Sequence, residues 1–587
     1  MPWDAMSNIP PALVLFFGAV LLPLLPRFSR GAALLLFPVI TLILLGYLDE
    51  GNAQSLRFLG FDLVPLRVDR LSLAFGYVFA LISLLGGVYS YHLNDTGQQV
   101  AALIYAGSSL GVVFAGDLFT LLVCWEFMAV ASAYLIFARR TEGSRKAGTR
   151  YLLVHLFGGN VLLAGILWHF VGTGSISFDR FDGGIAANLI LLSVALNAAI
   201  PPLHAWLADA YPEGTITGSV FLSAFTTKTA VYVLARGFAG WDILIWGGVI
   251  MTIYGVVFAV LENDIRRLLA YHIISQVGYM VAAVGIGTEI AINGATAHAF
   301  CHILYKGLLF MGAGAVLYST GRSKLTELGG LAPALPLALS LYMIGAFSIS
   351  GVPLFSGFVS KSMAIYAAEL RHEGIVVLLL YLASVGTFLH TGLKLPYFTW
   401  FGPKRAIEPA PIPWNMYAAM GLAAAINVAI GVDPKLLYDL MPFPVDYRPY
   451  TVSHVIQNFQ LLIFTGLGFW LLIEQLGGKA TITLDFDWFY RRPAPLAFRL
   501  TVVQVDRVFA AAEQITLDVA HGLARACANP WDFASRTLFR WSQGAEEVSS
   551  AGKISYDPNR YRPSLGFVVL IVVACFVFLL AWSFFAA

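Results

Sequence analysis

Apolar stretches about 20 residues long recur along almost the whole chain, and nothing else in the sequence constrains its fold as strongly. A helix needs about that length to cross the hydrocarbon core of a bilayer. Windows of this size predict helices near 9–26, 31–48, 70–92, 98–116, 117–138, 147–172, 184–210, 215–238, 240–261, 264–286, 290–318, 333–371, 374–400, 413–432, 456–476 and 564–586. That is about 16 transmembrane helices. Of the 587 residues, 58% are apolar and 12% charged, whereas a soluble domain carries about 25% charged residues. A soluble chain this apolar has too little polar surface to cover itself, which excludes a soluble enzyme. Ample apolar surface to bury excludes disorder. Lys and Arg number 36 against 34 acidic residues, a balance that does not recruit nucleic acid. Cys124, Cys301, Cys527 and Cys575 stand singly without a CxxC, which argues against an iron–sulfur cluster or zinc knuckle. The expected class is an all-α, multi-pass integral protein of the cell (inner or plasma) membrane.

The loops test the count. Arg27 and Arg30, Arg139, Arg140, Arg145 and Lys146, Arg266 and Arg267, Arg322 and Lys324, and Lys404 and Arg405 all follow odd-numbered spans. Loops after even spans are poor in Lys and Arg, apart from Arg57, Arg67 and Arg70. Basic loops favour the cytoplasm, which places both termini on the non-cytoplasmic side. The first apolar stretch lacks a basic leader and reads as a membrane helix rather than a signal peptide.

Two regions do not span. Residues 51–68 alternate enough to predict a small external hairpin. Residues 499–526 repeat apolar residues at helical spacing with Arg, Asp and Glu between them, as in a lateral amphipathic helix lying along the membrane or against partner subunits. The expected organisation is an N-terminal membrane part (1–97), two five-helix units (98–239 and 240–402), further membrane helices (403–477), an amphipathic segment on the cytoplasmic side (478–562) and a last membrane helix (563–587).

Ionisable residues inside spans are costly and mark function by default. Glu126 falls near the middle of the fifth span and Lys228 in the eighth. His298, His302 and Lys306 fall in the eleventh, Lys361 in the twelfth, and His390 and Lys394 in the thirteenth. Glu126 also has a purely structural reading, as an ion-pair partner. His298, His302 and Lys306 step by four and so share a helix face. Two of these are possible metal ligands, but Lys306 would repel a cation and no third ligand is evident, so a proton relay fits them better. His272 reads equally as a relay group or as an interfacial histidine beside Arg266 and Arg267. Lys394 reads as a relay lysine or as one snorkelling to the interface. Desolvation disfavours the charged form of a buried lysine, so a neighbouring charge can load or unload its proton. Lys, His and Glu in series at membrane depth are therefore a physical basis for proton transfer. No phosphate-binding or nucleophile-elbow motif occurs.

Two spans should break. One contains Pro201 and Pro202, and the other Gly351, Pro353 and Gly357. Proline removes a backbone donor and clashes one turn back. Broken helices at matching places in two halves are a sign of inverted repeats. Asn197 precedes Lys228 by about as many residues as Lys361 precedes Lys394. Five helices per unit is an odd number, so the second unit would be inverted.

The stretches CWEFMAVASAYLI, PPLHAWLADAYPEGTITGSVFLSAFTTKTAVY, ENDIRRLLAYHIISQVGYM, HAFCHILYKGLLFMGAGAV and GVPLFSGFVSKS resemble the antiporter-like subunits of the respiratory complex I membrane arm. They are at least as similar to the D-type subunit of Mrp multisubunit Na+/H+ antiporters and to subunits of membrane-bound hydrogenases. The resemblance spans roughly residues 98–402. It implies an essential mid-membrane glutamate at Glu126 and a lysine after the first broken helix at Lys228. It further implies a central polar helix carrying His298, His302 and Lys306, and a second-break lysine at Lys361. Asn197 stands where the family usually has a lysine, and asparagine stores no proton. The implied function is proton translocation in a multisubunit cation/proton antiporter, with partner membrane subunits, protons as the transported ion and Na+ as the candidate counter-ion. The rivals are a proton-pumping subunit of an NADH–quinone oxidoreductase or hydrogenase, and a non-conducting scaffold. No cofactor is expected in this chain, and any redox chemistry would belong to partners.

Overall fold

A computed structural model describes residues 8–479, 484–530, 533–535, 537–538 and 565–585. Parts of the expected lateral segment, residues 480–483, 531–532, 536 and 539–562, lie outside the described residues. The chain opens with α1 (Pro11–Leu21) and α2 (Arg27–Leu45), the strands β1 (Ala53–Phe58) and β2 (Phe61–Arg67), then α3 (Arg70–Tyr89), α4 (Thr96–Phe114), α5 (Leu118–Phe137) and α6 (Glu142–Thr173). Next come α7 (Gly184–Ala198), α8 (Ala205–Ala210), α9 (Gly218–Ala224), α10 (Thr226–Gly237), α11 (Asp242–Leu261), α12 (Ile265–Ile286) and α13 (Glu289–Thr320). They are followed by α14 (Pro336–Ser350), α15 (Ser356–Leu370), α16 (Gly374–Thr387), α17 (Trp414–Val432), α18 (Lys435–Tyr438) and α19 (Val452–Leu471). Beyond α16 the chain continues in wider π turns over Phe388–Lys394 and Tyr397–Phe401. Two compact units result, Met1–Asp487 and Trp488–Ala587. The second contains a helix over Gln504–Ala528 and an apolar helix over Leu565–Phe585.

Helices occupy every expected window. Among the described residues, 11 are long and apolar enough to cross a membrane. Part of the shortfall from about 16 has local physical causes. The two windows with prolines are divided, so that α7 and α14 are each 15 residues long. The first half of α19 carries His454, Gln457, Asn458 and Gln460, which lower its apolarity. The expected hairpin forms as the antiparallel pair β1 and β2, with Phe58 opposite Phe61.

Loops that alternate along the sequence gather at two ends. At one, Arg139 donates to Pro212 O at 2.7 Å and Arg266 to Gly214 O at 2.9 Å. There too, Ile265 N meets Ser323 O and Ala332 N meets Trp400 O. At the other, Gly116 N meets Val64 O, Gly240 N meets Val284 O, and Arg371 pairs with Asp242 at 2.9 Å. The odd-numbered basic loops thus share one end of the molecule.

Small residues set the closest helix contact. A Cβ on Gly248 would sit 2.3 Å from Ala282 N, and one on Gly255 2.5 Å from Ser275 N. Gly278 and Gly285 return the contact from α12. Side-chain-free faces let α11 and α12 approach closely, which in a membrane replaces the missing hydrophobic drive. Enclosed by its neighbours, α12 is buried along its whole length and α13 along most of it.

Candidate buried polar row

The two breaks are built alike. Helix α7 ends with Ala199 at φ 62°, and Ile200 N reaches back to Ala195 O. Helix α14 ends with Gly351 at φ 76°, and Val352 N reaches back to Phe347 O. A left-handed residue closing a helix with such a long return bond is the Schellman arrangement. Proline then prevents the helix from resuming at once. In this register Asn197 lies before its break and Lys361 after its own. The similar sequence offsets therefore pair residues on opposite sides of the two breaks. Asn197 corresponds to Ile349, and Lys361 Nζ donates to Ile349 O at 2.7 Å. The second-break ammonium thus serves a carbonyl in the last turn before its break, with Ser384 Oγ at 3.4 Å. A small cavity of about 30 Å³ beside it, lined by Ser350, Ser384, His454 and Asn458, has room for about one water.

Lys228 uses a third interruption. Helices α9 and α10 are offset at Phe225, and Lys228 Nζ donates to Ser223 O at 2.6 Å. Between these lysines runs α13, with His298, His302 and Lys306 fully buried. His298 Nδ1 is 3.4 Å from Ser360 Oγ. His298 Nε2, both ring nitrogens of His302 and Lys306 Nζ have no hydrogen-bond partner among the described residues. Buried polar atoms without partners are costly, so this face calls for water or a further polar partner. The His298 and His302 rings lie 6.2 Å apart, and the Tyr279 ring stands 5.8 Å from that of His298 and 5.6 Å from Lys361 Nζ. Among the described residues no carboxylate forms an ion pair with any of these groups. Several cations packed together without a counter-ion cannot all be charged, so their protonation is coupled.

The row turns at His272. The ring is fully buried within the protein. Thr391 Oγ1 lies 2.9 Å from its Nδ1 and 2.7 Å from His390 Nδ1. Thr387 Oγ1 is 3.3 Å from His272 Nε2 and 3.2 Å from Gln276 Nε2. The π turns make this junction, because they bring Thr387, His390 and Thr391 toward α12. Farther along the same turns, Lys394 donates to Glu262 O at 3.0 Å and to Val260 O, which caps the end of α11. Glu262 in turn faces Arg267 at 3.2 Å.

Glu126 lies apart. It is half-buried on an outer face of α5 against Gly159 of α6, where an added Cβ would meet its carboxylate. It forms no ion pair with Lys228 or any other group among the described residues. Asn197 is buried, with its Oδ1 lacking a partner. His204 is not among the residues expected in the site, yet it is fully buried in the first break with its Nε2 3.2 Å from Asp485 Oδ1. His204 follows the proline pair closely, which is a usable signal. Asp485 lies 281 residues away, and no local pattern links it to the break.

The profile of the family described as "NADH:quinone oxidoreductase/Mrp antiporter, TM" matches residues 115–388, which contain every group of the row except His390 and Lys394. "Uncharacterized protein MJ1309" of Methanocaldococcus jannaschii is 30% identical over 386 residues, 61% of this chain and 79% of that protein. The A-type subunit of the Na(+)/H(+) antiporter of Alkalihalophilus pseudofirmus is 30% identical over 490 residues, 72% of this chain. The match spans 60% of that relative's own length. One chain in the structure of the Mrp complex from Dietzia sp. DQ12-45-1b superposes with a TM-score of 0.67 at 22% identity, covering 79% of this chain and 100% of that one, which establishes the shared fold. The chain belongs to the NADH:quinone oxidoreductase/Mrp antiporter family of multi-pass membrane subunits.

Proposed function

We propose that this chain is a proton-translocating subunit of a multisubunit Mrp-type Na+/H+ antiporter, D-like in role. The observation that carries this reading is the buried row of four lysines and four histidines without a paired carboxylate among the described residues. In such a row a proton added at one member lowers the affinity of the next, so occupancy moves along the series. Protons pass among Lys228, His302, His298, Lys306 and Lys361, with water bridging the unpartnered nitrogens. They leave by His272, Thr391, His390 and Lys394 at the end bearing the basic loops. That end faces the cytoplasm by the bias of basic residues, and both termini lie on the other side. The sequence halves 98–239 and 240–402 act as the two half-channels.

Glu126 supports a partner in the membrane. A carboxylate half-open on an outer helix face at membrane depth is expensive in lipid. A neighbouring subunit covers it and exchanges protons with it. The family also contains NADH:quinone oxidoreductases, which supports a second reading, a proton-pumping arm of a redox complex. The deciding experiment measures ion movement by the intact complex in inverted vesicles, with Na+ and NADH varied separately. Na+-driven proton movement that Glu126→Gln abolishes is expected. Proton movement that requires NADH moves the chain to the redox reading, and movement that Glu126→Gln leaves intact removes Glu126 from the path.

A further inference from the structure

The first break holds a charged group that the proton row does not use. Asp485, just past α19, inserts its carboxylate beside the irregular segment between α7 and α8. Its side chain is 1% exposed. It accepts hydrogen bonds from Tyr254 of α11 and Tyr271 of α12, each at 2.5 Å, and lies 3.2 Å from His204 Nε2. Phe486 packs edge-on against the His204 ring, with centroids 5.7 Å apart. Burial raises the Asp485 carboxyl, but the bond and charge of His204 and the two tyrosine hydroxyls outweigh it, so the group is held below the usual carboxylate range. With the Phe486 backbone N–H at 2.5 Å as well, four donors on one carboxylate make a built site, and a buried anion is retained only where it is paired in this way.

His204 has a second nitrogen. Its Nδ1 is buried and has no partner among the described residues. When a carboxylate accepts from one ring nitrogen, it fixes the tautomer and leaves the other nitrogen as a base. On the same break, Asn197 Oδ1 also lacks a partner and stores no proton.

We infer that His204 is a further proton-relay group, at the first break, and that Asp485 is the positioning residue that orients its ring and balances its charge. This deepens the proton-translocating reading and rests on it. A proton delivered by water or a protonated neighbour forms the Nδ1–H bond as the donor's bond breaks. The imidazolium is balanced by the Asp485 carboxylate. Loss of the same proton restores the neutral ring, and the Nε2–H bond to Asp485 persists throughout. Other ionisable groups around the pair are Tyr254, Tyr271, Arg267, Glu262 and Asp487, the last close enough to act on both Tyr254 and Arg267. The first half thus takes its carboxylate from a segment lying beyond both halves and beyond the family match.

The test is proton movement by the intact complex in inverted vesicles, measured between about pH 5 and 8, where histidine groups exchange protons. Asp485→Asn is expected to slow movement about tenfold or more and to displace the acid limb of the profile to lower pH, with Asp485→Glu recovering both. A wild-type rate and profile in Asp485→Asn, alongside an inactive Glu126→Gln, overturns the inference and leaves the proposed function standing. A slower Asp485→Asn with an unmoved limb also overturns it and makes Asp485 a structural tether. If Asp485→Asn does not assemble, Tyr271→Phe decides. Removing one donor concentrates the carboxylate's charge on the ring, so the limb should move to higher pH, and an unmoved limb overturns the inference. Absence of Na+-driven proton movement in the wild-type complex counts against the proposed function itself.

Discussion

The two broken helices share a backbone and differ in chemistry. Each ends in a left-handed residue with a long return hydrogen bond, at Ala199 and at Gly351. The second break supplies its own cation, because Lys361 reaches back to Ile349 O from the helix that follows. The first has Asn197 before it and a histidine after it, and its buried charge, Asp485, arrives from a segment hundreds of residues away. Backbone rules dictate where a membrane helix is interrupted, but they do not dictate which side chain exploits the freed polar groups. A break is a site for polar chemistry, and the sequence can fill it locally or from a distance.

The largest effect should come from closing the second break. A Cβ on Gly357 would lie 1.7 Å from Ser348 O, a backbone atom that cannot swing aside. Gly357→Ala should cost about 3 kcal/mol and be seen as loss of assembled complex or a lowered thermal midpoint. Lys361→Met keeps the volume and removes the ammonium. It should assemble, yet slow proton movement in vesicles about a hundredfold, the scale on which a positioned proton-transfer group acts. Wild-type transport in Lys361→Met would leave the second break as mere architecture.

Much of this is legible in the sequence for identifiable reasons. Spans show as apolar runs because lipid leaves the backbone no alternative to the helix. Breaks show as Pro201, Pro202, Gly351 and Pro353 because these residues act locally. Buried Lys228, His302, Lys306 and Lys361 show because charges at membrane depth are too costly to occur idly. The hidden part depends on contacts between distant segments. Lys394 caps α11 at a carbonyl 132 residues away. His272 meets Thr391 across 119 residues, through π turns that leave no composition signature. Asp485 reads in the sequence only as part of an amphipathic segment, yet it is among the most deeply placed carboxylates in the described chain.

Smaller effects separate the halves further. Gly159→Ala meets only the far end of the Glu126 side chain. It should leave assembly and thermal midpoint unchanged and slow transport about tenfold, by moving a proton-transfer carboxylate out of position. An unchanged rate would mean that the position of Glu126 on its outer face does not matter. Asn197→Ala removes an oxygen that holds no proton and should lower the rate by about threefold at most. A loss as deep as that of Lys361→Met would erase the difference between the breaks. The smallest effect concerns acid. Asp485 is held low, so the stability it lends to docking is present above the ordinary carboxylate pKa of about 3.9 and lost only as pH falls through the lowered value. Trypsin cleavage after Lys479 on the complex, taken relative to cleavage of an unfolded reference peptide at each pH, should therefore stay constant down to about pH 5. Cleavage that accelerates over that range would show that Asp485 does not hold its segment as an anion.

If the α13 face passes protons between the halves, removing the Lys306 ammonium in Lys306→Met should stop them. Lys306 is fully buried, is unpartnered at Nζ among the described residues, and lies one turn from His302. The measurement is proton movement by the assembled complex in inverted vesicles, beside a native-gel measure of assembly. Full assembly with proton movement reduced to background is expected. Full assembly with wild-type proton movement would contradict it.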